Sequence, residues 1–189
     1  MKSLVLVLAL VGLASSASAA EIITLARLYA LRNLATWASD PVLIAAVKAQ
    51  NAAHAGMNAD QIAALDAAWR SELGLAQQPT IGPVLNNPAA DLLRNLIREA
   101  GGKIGEAFVM DRFGLNVAAA EATSDYWQGD EAKFTSTFLM GADAVHVSEI
   151  EFDESSQLYE IQISVTLVDP LSRTPIGAMT VGVNAEVLD

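Results

Sequence analysis

Apolar residues change their period once along this chain. Between residues 21 and 100 they recur at three- and four-residue intervals, the spacing of helices with one buried face. From Ile104 onward they alternate with polar residues, the spacing of half-buried strands. The first part predicts four helices. Residues 21–39 carry apolar side chains almost all round, relieved mainly by Arg27, Arg32 and Asn33. Such a helix is expected to be buried on more than one side or to pack against a second copy. Asp40-Pro41 reads as an N-cap followed by proline at the first helical position, opening a helix over 41–55. Asn58, with Gln61 three residues on, caps a third helix. There Ile62, Leu65, Trp69 and Leu73 share one face, and Asp66 and Arg70 form an i,i+4 pair on another. Residues 75–87 read as a loop broken by Pro79, Gly82 and Pro83. Asn87-Pro88 repeats the cap and opens a helix over 88–100, with Leu92, Leu93, Leu96 and Ile97 as its buried stripe.

The second part predicts five strands. Residues 104–110 and 115–120 form a hairpin across the turn Asp111-Arg112-Phe113-Gly114. A polar and aromatic run starts at Thr123 and leads into a short helix over 130–139. Strands follow over 144–152, 158–168 and 176–187, joined by turns at 153–156 and from Asp169-Pro170. The clearest is 158–168, where Ile161, Ile163, Val165 and Leu167 alternate with Gln162, Ser164 and Thr166. This order argues α+β, with N-terminal helices packed on one five-stranded antiparallel sheet. The helical region 20–103 and the sheet region 104–189 are expected to be one domain, because each has an apolar face that needs the other.

Composition narrows the function. The chain has 189 residues, 52% of them hydrophobic, enough for one domain with a substantial core. Residues 1–19 read as a secretory leader: Lys2, an apolar run over 4–13, and Ala17-Ser18-Ala19 as a cleavage site. An uncleaved anchor is the alternative, but the apolar run is short for a span. The mature chain is expected to be soluble, periplasmic or secreted, and not inserted in the membrane. A net charge of −11 argues against nucleic acid as a partner. Cysteine is absent, so thiolate metal sites and cysteine nucleophiles are excluded and stability must come from packing. His54 and His146 lie far apart in sequence, and no serine sits in a G-x-S-x-G setting. No catalytic constellation emerges, so no enzyme, cofactor or metal is expected. The acidic group Glu149, Glu151, Asp153 and Glu154 reads as a solvated edge rather than a calcium site. Arg112, in a hairpin turn, is expected to face solvent.

Two stretches carry a resemblance: Phe108-Val109-Met110-Asp111-Arg112-Phe113-Gly114-Leu115-Asn116-Val117, and the run from Thr123 to Lys133 that contains D-Y-W-Q-G-D-E. They resemble free-standing exported proteins with a Cache domain, the PAS-like (PDC) sensor module of bacterial receptors. Asp40-Pro41-Val42, Leu65-Asp66-Ala67-Ala68-Trp69-Arg70 and Asn87-Pro88 extend the likeness into the helical half. The resemblance implies a PAS-like sheet with a ligand held between it and the crossover after the second strand. Tyr126 and Trp127 would then be ring walls, and Asp125 and Asp130 acceptors for an amine or hydroxyl. Lys133 would be a donor to a carboxylate, with Thr123 beside them and Gln162, Ser164, Thr166 and His146 as the floor. The competing expectation is that Tyr126 and Trp127 plug the core while Asp125 and Asp130 cap helix starts. The pattern associated with amino-acid-binding double Cache receptors is absent, so no amino-acid ligand is carried over. Cache receptors usually continue into a signalling domain, whereas Asp189 follows the last strand here. The expected function is therefore a soluble sensor for a small polar ligand. It would feed a separate membrane receptor and form a homodimer through its N-terminal helix. The alternative is a structural or interaction protein with no small-molecule ligand.

Overall fold

The computed structural model describes residues 19–153 and 158–187. The leader up to residue 18, the turn at 154–156 with Glu154, and Asp189 lie outside the described residues. The architecture is α+β: some of the helices pack on one face of a five-stranded antiparallel sheet, and the long crossover, with the remaining helices behind it, covers the other.

Helix α1 (Ala19–Tyr29) passes through a π-helical turn, Ala30–Leu34, into the short α2 (Ala35–Ala38). Helix α3 is Pro41–Ala53, and the Asp40 carboxylate accepts from the Val42 amide at its start. Helix α4 is Ala59–Glu72, opened by a reciprocal capping box between Asn58 and Gln61. Helix α5 is Ile81–Leu85 and α6 is Pro88–Glu99, with the Asn87 side chain accepting from the Ala90 amide. The strands are β1 (Ile104–Met110), β2 (Asn116–Ala119), β3 (Val145–Asp153), β4 (Leu158–Val168) and β5 (Pro175–Asn184), in the spatial order β2-β1-β5-β4-β3. Between β2 and β3 lie α7 (Ala132–Thr135) and a 3₁₀ turn, Phe138–Met140.

The alternation in β4 sorts the core. Ile161, Ile163 and Leu167 are fully buried and pack with Met179 and Val181 of β5 against Leu34, Leu43, Val47 and Leu93 of the helices. Burial of each such side chain contributes about 1.5–3 kcal/mol. The opposite face holds a second core, in which Phe108, Met110 and Ala178 meet Trp69, Tyr126 and Phe134. The sheet is thus covered on both sides, and its polar residues lie on the crossover side.

Three expected elements differ. The loop over 75–87 contains α5, because the buried Glu72 carboxylate accepts from the Thr80 and Ile81 amides at 2.7 and 3.0 Å and so caps a helix from nine residues upstream. The helix expected over 130–139 breaks after Thr135. The buried Thr137 hydroxyl donates to the Lys133 carbonyl at 2.6 Å and competes with the helical ladder. The last strand stops at Asn184, whose side chain accepts from the Glu186 amide and turns the chain.

Gly114 fixes where the hairpin turn meets the crossover. Its φ is +81°, and a Cβ there would lie 2.5 Å from the Gly129 Cα. Gly114→Ala is expected to cost about 1–3 kcal/mol from the backbone alone, with the collision adding to it. Chemical denaturation measures this; an unchanged midpoint would show that the turn is not tightly apposed to the crossover.

Candidate functional site

The crossover after β2 is held from behind by α4. One oxygen of the Asp66 carboxylate accepts from the Tyr126 and Trp127 amides at 2.9 and 3.1 Å, and the other pairs with Arg70 at 2.8 Å. The buried Trp69 donates its indole N–H to the Thr123 carbonyl at 2.9 Å and stacks on the Tyr126 ring with centroids 5.2 Å apart. From the hairpin side, the Tyr126 carbonyl accepts from the Asn116 amide and the Gly114 carbonyl accepts from the Gln128 amide. The buried Asn116 side chain donates to the Thr123 hydroxyl at 2.7 Å and to the Asp125 carbonyl at 3.2 Å. Residues 123–128 are therefore fixed in position.

On the far side of this segment lies a cavity of about 340 Å³ that opens to solvent at Gly105, Glu121, Ala122 and Ser124. Its floor is the crossover face of the sheet, with Glu106 of β1 and Glu160 and Gln162 of β4. Its other wall is the crossover, with Thr123, Gln128 and Lys133. Two strand glycines make the floor. A Cβ on Gly105 or on Gly182 would collide with the Glu160 carboxylate, and one on Gly182 would also come within 3.2 Å of the Glu106 Cβ. Glycine in a strand interior here marks the space that a buried carboxylate occupies. Gln162 donates to the Glu106 carboxylate at 3.2 Å. Lys133 is mostly buried; its ammonium pairs with Glu131 at 3.0 Å, donates to the Gln128 side-chain carbonyl at 3.2 Å, and sits 5.5 Å above the Phe108 ring. A polar cavity of this size, with charged groups fixed by hydrogen bonds, suits a small polar molecule.

Among the expected site residues, Thr123 and Lys133 line this cavity, and so does the floor residue Gln162. Tyr126 and Trp127 lie behind it. Tyr126 is in the second core, and Trp127 donates its indole N–H to the Phe113 carbonyl at 2.8 Å. Asp125 is on the α4 side, bonded to the Gln128 amide group and 3.7 Å from Arg70. Asp130 is exposed. Neither aspartate caps a helix: α7 begins after Glu131, with no side-chain cap bond. Ser164 and Thr166 hold structure instead, Ser164 bonding to Thr180 at 2.9 Å and Thr166 donating to the Gly141 carbonyl at 2.7 Å. His146 stands in β3, where burial, and then the charges of Arg27 and Lys133, pull its pKa below the ordinary value. Arg112 is exposed, its guanidinium 4.8 Å from the Phe113 ring centre. His54, at the end of α3, lies 2.8 Å from the Asp111 carboxylate.

Gln128, Glu106 and Glu160 were missed as site residues. Glu160 had a sequence signal, since it falls on the polar parity of β4 with Gln162 and Ser164. The glycines that accommodate it sit on β1 and β5 and become its neighbours only through strand pairing.

No family model matches the sequence, and no curated relative matches it. Several solved structures overlap with it in part. One is the ligand-binding domain of the Campylobacter jejuni chemoreceptor Tlp3 in complex with 4-methylisoleucine. It is 10% identical, with a TM-score of 0.41 over 81% of this chain and 64% of that one. Another is the sensor domain of the V. cholerae histidine kinase DctB, 13% identical with a TM-score of 0.38 over 74% and 59%. The chain thus spans less than two thirds of the length of either. Overlap this partial leaves function to be argued from the chain's own residues.

Two outcomes follow for the α4 side. Burial, and then the Asp111 charge, push the Tyr126 phenol from 10.0 up to about 12. A raised phenol pKa favours the protonated folded form, so this stability is complete below pH 10 and is lost as pH rises through about 12. Spectrophotometric titration should show a late tyrosine step, coincident with unfolding, that Tyr126→Phe removes; ionisation of all tyrosines near the ordinary value would contradict the stacked, buried ring. Asp66→Ala removes the acceptor of two amides and is expected to cost roughly 2–4 kcal/mol. Hydrogen exchange at Tyr126 and Trp127 should accelerate with it; unchanged protection would exclude α4 as the clamp.

Proposed function

We propose that this protein is a non-enzymatic sensor that binds one small polar ligand between its sheet and its crossover. The polar cavity walled by Glu106, Glu160 and Gln162 on one side and Thr123, Gln128 and Lys133 on the other carries this reading. The crossover is the element placed to respond. Its front lines the cavity and its back is clamped to α4 through Asp66 and Trp69. A ligand that contacts Gln128 and Lys133 more favourably in one placement of the crossover shifts the population toward that placement. The surface of α4 then changes with it.

The remaining parts of the proposal rest on sequence. The leader pattern of residues 1–19 supports export to the periplasm or beyond, and no helix among the described residues is long and apolar enough to cross a membrane. A separate membrane receptor as partner follows from the resemblance to Cache sensors. The net charge of −11 supports a partner other than nucleic acid. The exposed Leu28 and Leu31, 41% and 66% accessible on the N-terminal helix, support a homodimer through that helix. A structural role without ligand is the second reading. It is favoured by Tyr126 and Trp127, whose rings and N–H groups are used by other parts of the protein.

A thermal-shift screen of small polar metabolites separates the two. A binder should raise the melting temperature, and Gln162→Leu should remove that shift while leaving the ligand-free melting temperature close to that of the parent. No shift from any metabolite, or a shift indifferent to Gln162→Leu, would favour the structural role.

A further inference from the structure

A second cavity, away from the crossover, collects hydrogen-bond donors. It lies between the N-terminal helix and the end of α6 and measures about 550 Å³. We infer that it binds a small amphipathic anion, a carboxylate with an apolar body. This site is independent of the one proposed above.

The π-helical turn shapes the N-terminal helix for this cavity. In a regular α-helix each i,i+4 step carries a residue about 40° round the axis. The wider turn at Ala30–Leu34 offsets part of that drift, and the row Leu25, Tyr29, Asn33 and Trp37 stays on the cavity side. Such turns recur at functional sites. Asn33 donates to the Tyr29 carbonyl at 3.3 Å, so its amide is used within the helix. The Tyr29 phenol, the Trp37 indole N–H and the cations of Arg32 and Lys103 remain. Among the described residues none of these four side chains makes a hydrogen bond or ion pair. Trp69 and Trp127, by contrast, both donate to backbone carbonyls. Burial raises the Tyr29 pKa, so the phenol keeps its proton and can donate it. Glu99 is the one acidic lining residue, and Arg32 and Lys103 outnumber it. The cavity is thus locally positive in a chain of net charge −11. Leu25, Leu96 and Val183 supply apolar wall. Donors and positive charge beside rings and apolar side chains match a carboxylate head with a hydrocarbon body. A cation would face Arg32 and Lys103, and a small polyol would leave the apolar wall unused. Leu28 lines this cavity and also belongs to the proposed dimer face, so a ligand here would sit beside that contact.

Isothermal titration of the full chain tests this. The probes are phenylacetate and octanoate as amphipathic carboxylates, phenylacetamide as a neutral counterpart, octylamine as a cation, and succinate as an anion without an apolar body. The expected result is one-to-one binding of phenylacetate or octanoate, with phenylacetamide and succinate each at least about 10-fold weaker. Arg32→Gln and Lys103→Gln, both at exposed positions, should each weaken binding about 3- to 10-fold. Binding should also change the tryptophan fluorescence of the parent, and Trp37→Phe should remove that change. Circular dichroism and melting temperature establish that each variant is folded; if one fails to fold, the others decide. Equal or tighter binding of phenylacetamide, octylamine or succinate would overturn the assignment to an amphipathic anion. Carboxylate binding that is indifferent to Arg32→Gln and Lys103→Gln, or lost in Gln162→Leu, would place the ligand elsewhere and overturn this site. No binding of any probe would overturn the proposal, while the crossover cavity stands or falls by its own metabolite screen.

Discussion

The fully buried carboxylate of Asp111 is the interaction on which the rest of the fold depends. One oxygen accepts from the Phe113 and Leu115 amides at 2.8 and 3.1 Å and shapes the hairpin turn. The other accepts from Gln50 at 3.1 Å and faces His54 at 2.8 Å, both on α3. A buried carboxylate is tolerable only when its oxygens are satisfied, and here backbone and side chains share that task. The turn is thereby locked to the helical layer. Asn51 of α3 accepts from the Arg112 amide and donates to the Ile176 carbonyl, and Lys48 pairs with Asp169 at 2.5 Å. One polar face of α3 thus fixes the turn after β1 and both ends of the loop before β5.

The consequences run through the turn into the crossover. A turn placed by Asp111 presents Gly114 to Gly129, and that close approach sets the path of residues 126–129. Asp66 and Trp69 then hold the same residues from α4. With its back fixed, the crossover can face the sheet across a gap without collapsing into it. The gap stays polar because the sheet's crossover face changes in character along its length. Phe108, Met110 and Ala178 fill one end with the second core, while Glu106, Glu160 and Gln162 lie at the other beside Gly105 and Gly182. Apolar packing at one end and a charged cavity at the other come from successive residues of the same strands.

Much of the fold was legible in the sequence, and the reasons are local. The period change after Gly102, the Asp-Pro and Asn-Pro caps and the clean alternation of 158–168 each act within a few residues, and each appears where expected. Helix α5 was not legible, because its cap comes from Glu72 across a loop. The candidate site was half legible. Lys133, Thr123 and Gln162 fall on the cavity, whereas the rings of Tyr126 and Trp127 are taken up by Trp69 and the Phe113 carbonyl. An aromatic pair in sequence has the same appearance whether its rings face a ligand or a helix. What decides is α4, some sixty residues upstream of its hydrogen-bond partners. The floor residues Glu106 and Glu160 were harder still, since their both flanking Gly182 depends on the order of β1, β5 and β4 in the sheet.

Native mass spectrometry of the freshly purified chain, before and after unfolding, tests most directly whether this cavity holds a small polar ligand. The expected result is a small molecule retained by the folded protein, released on unfolding and lost in Gln162→Leu. A folded parent protein that carries only its own mass would contradict it.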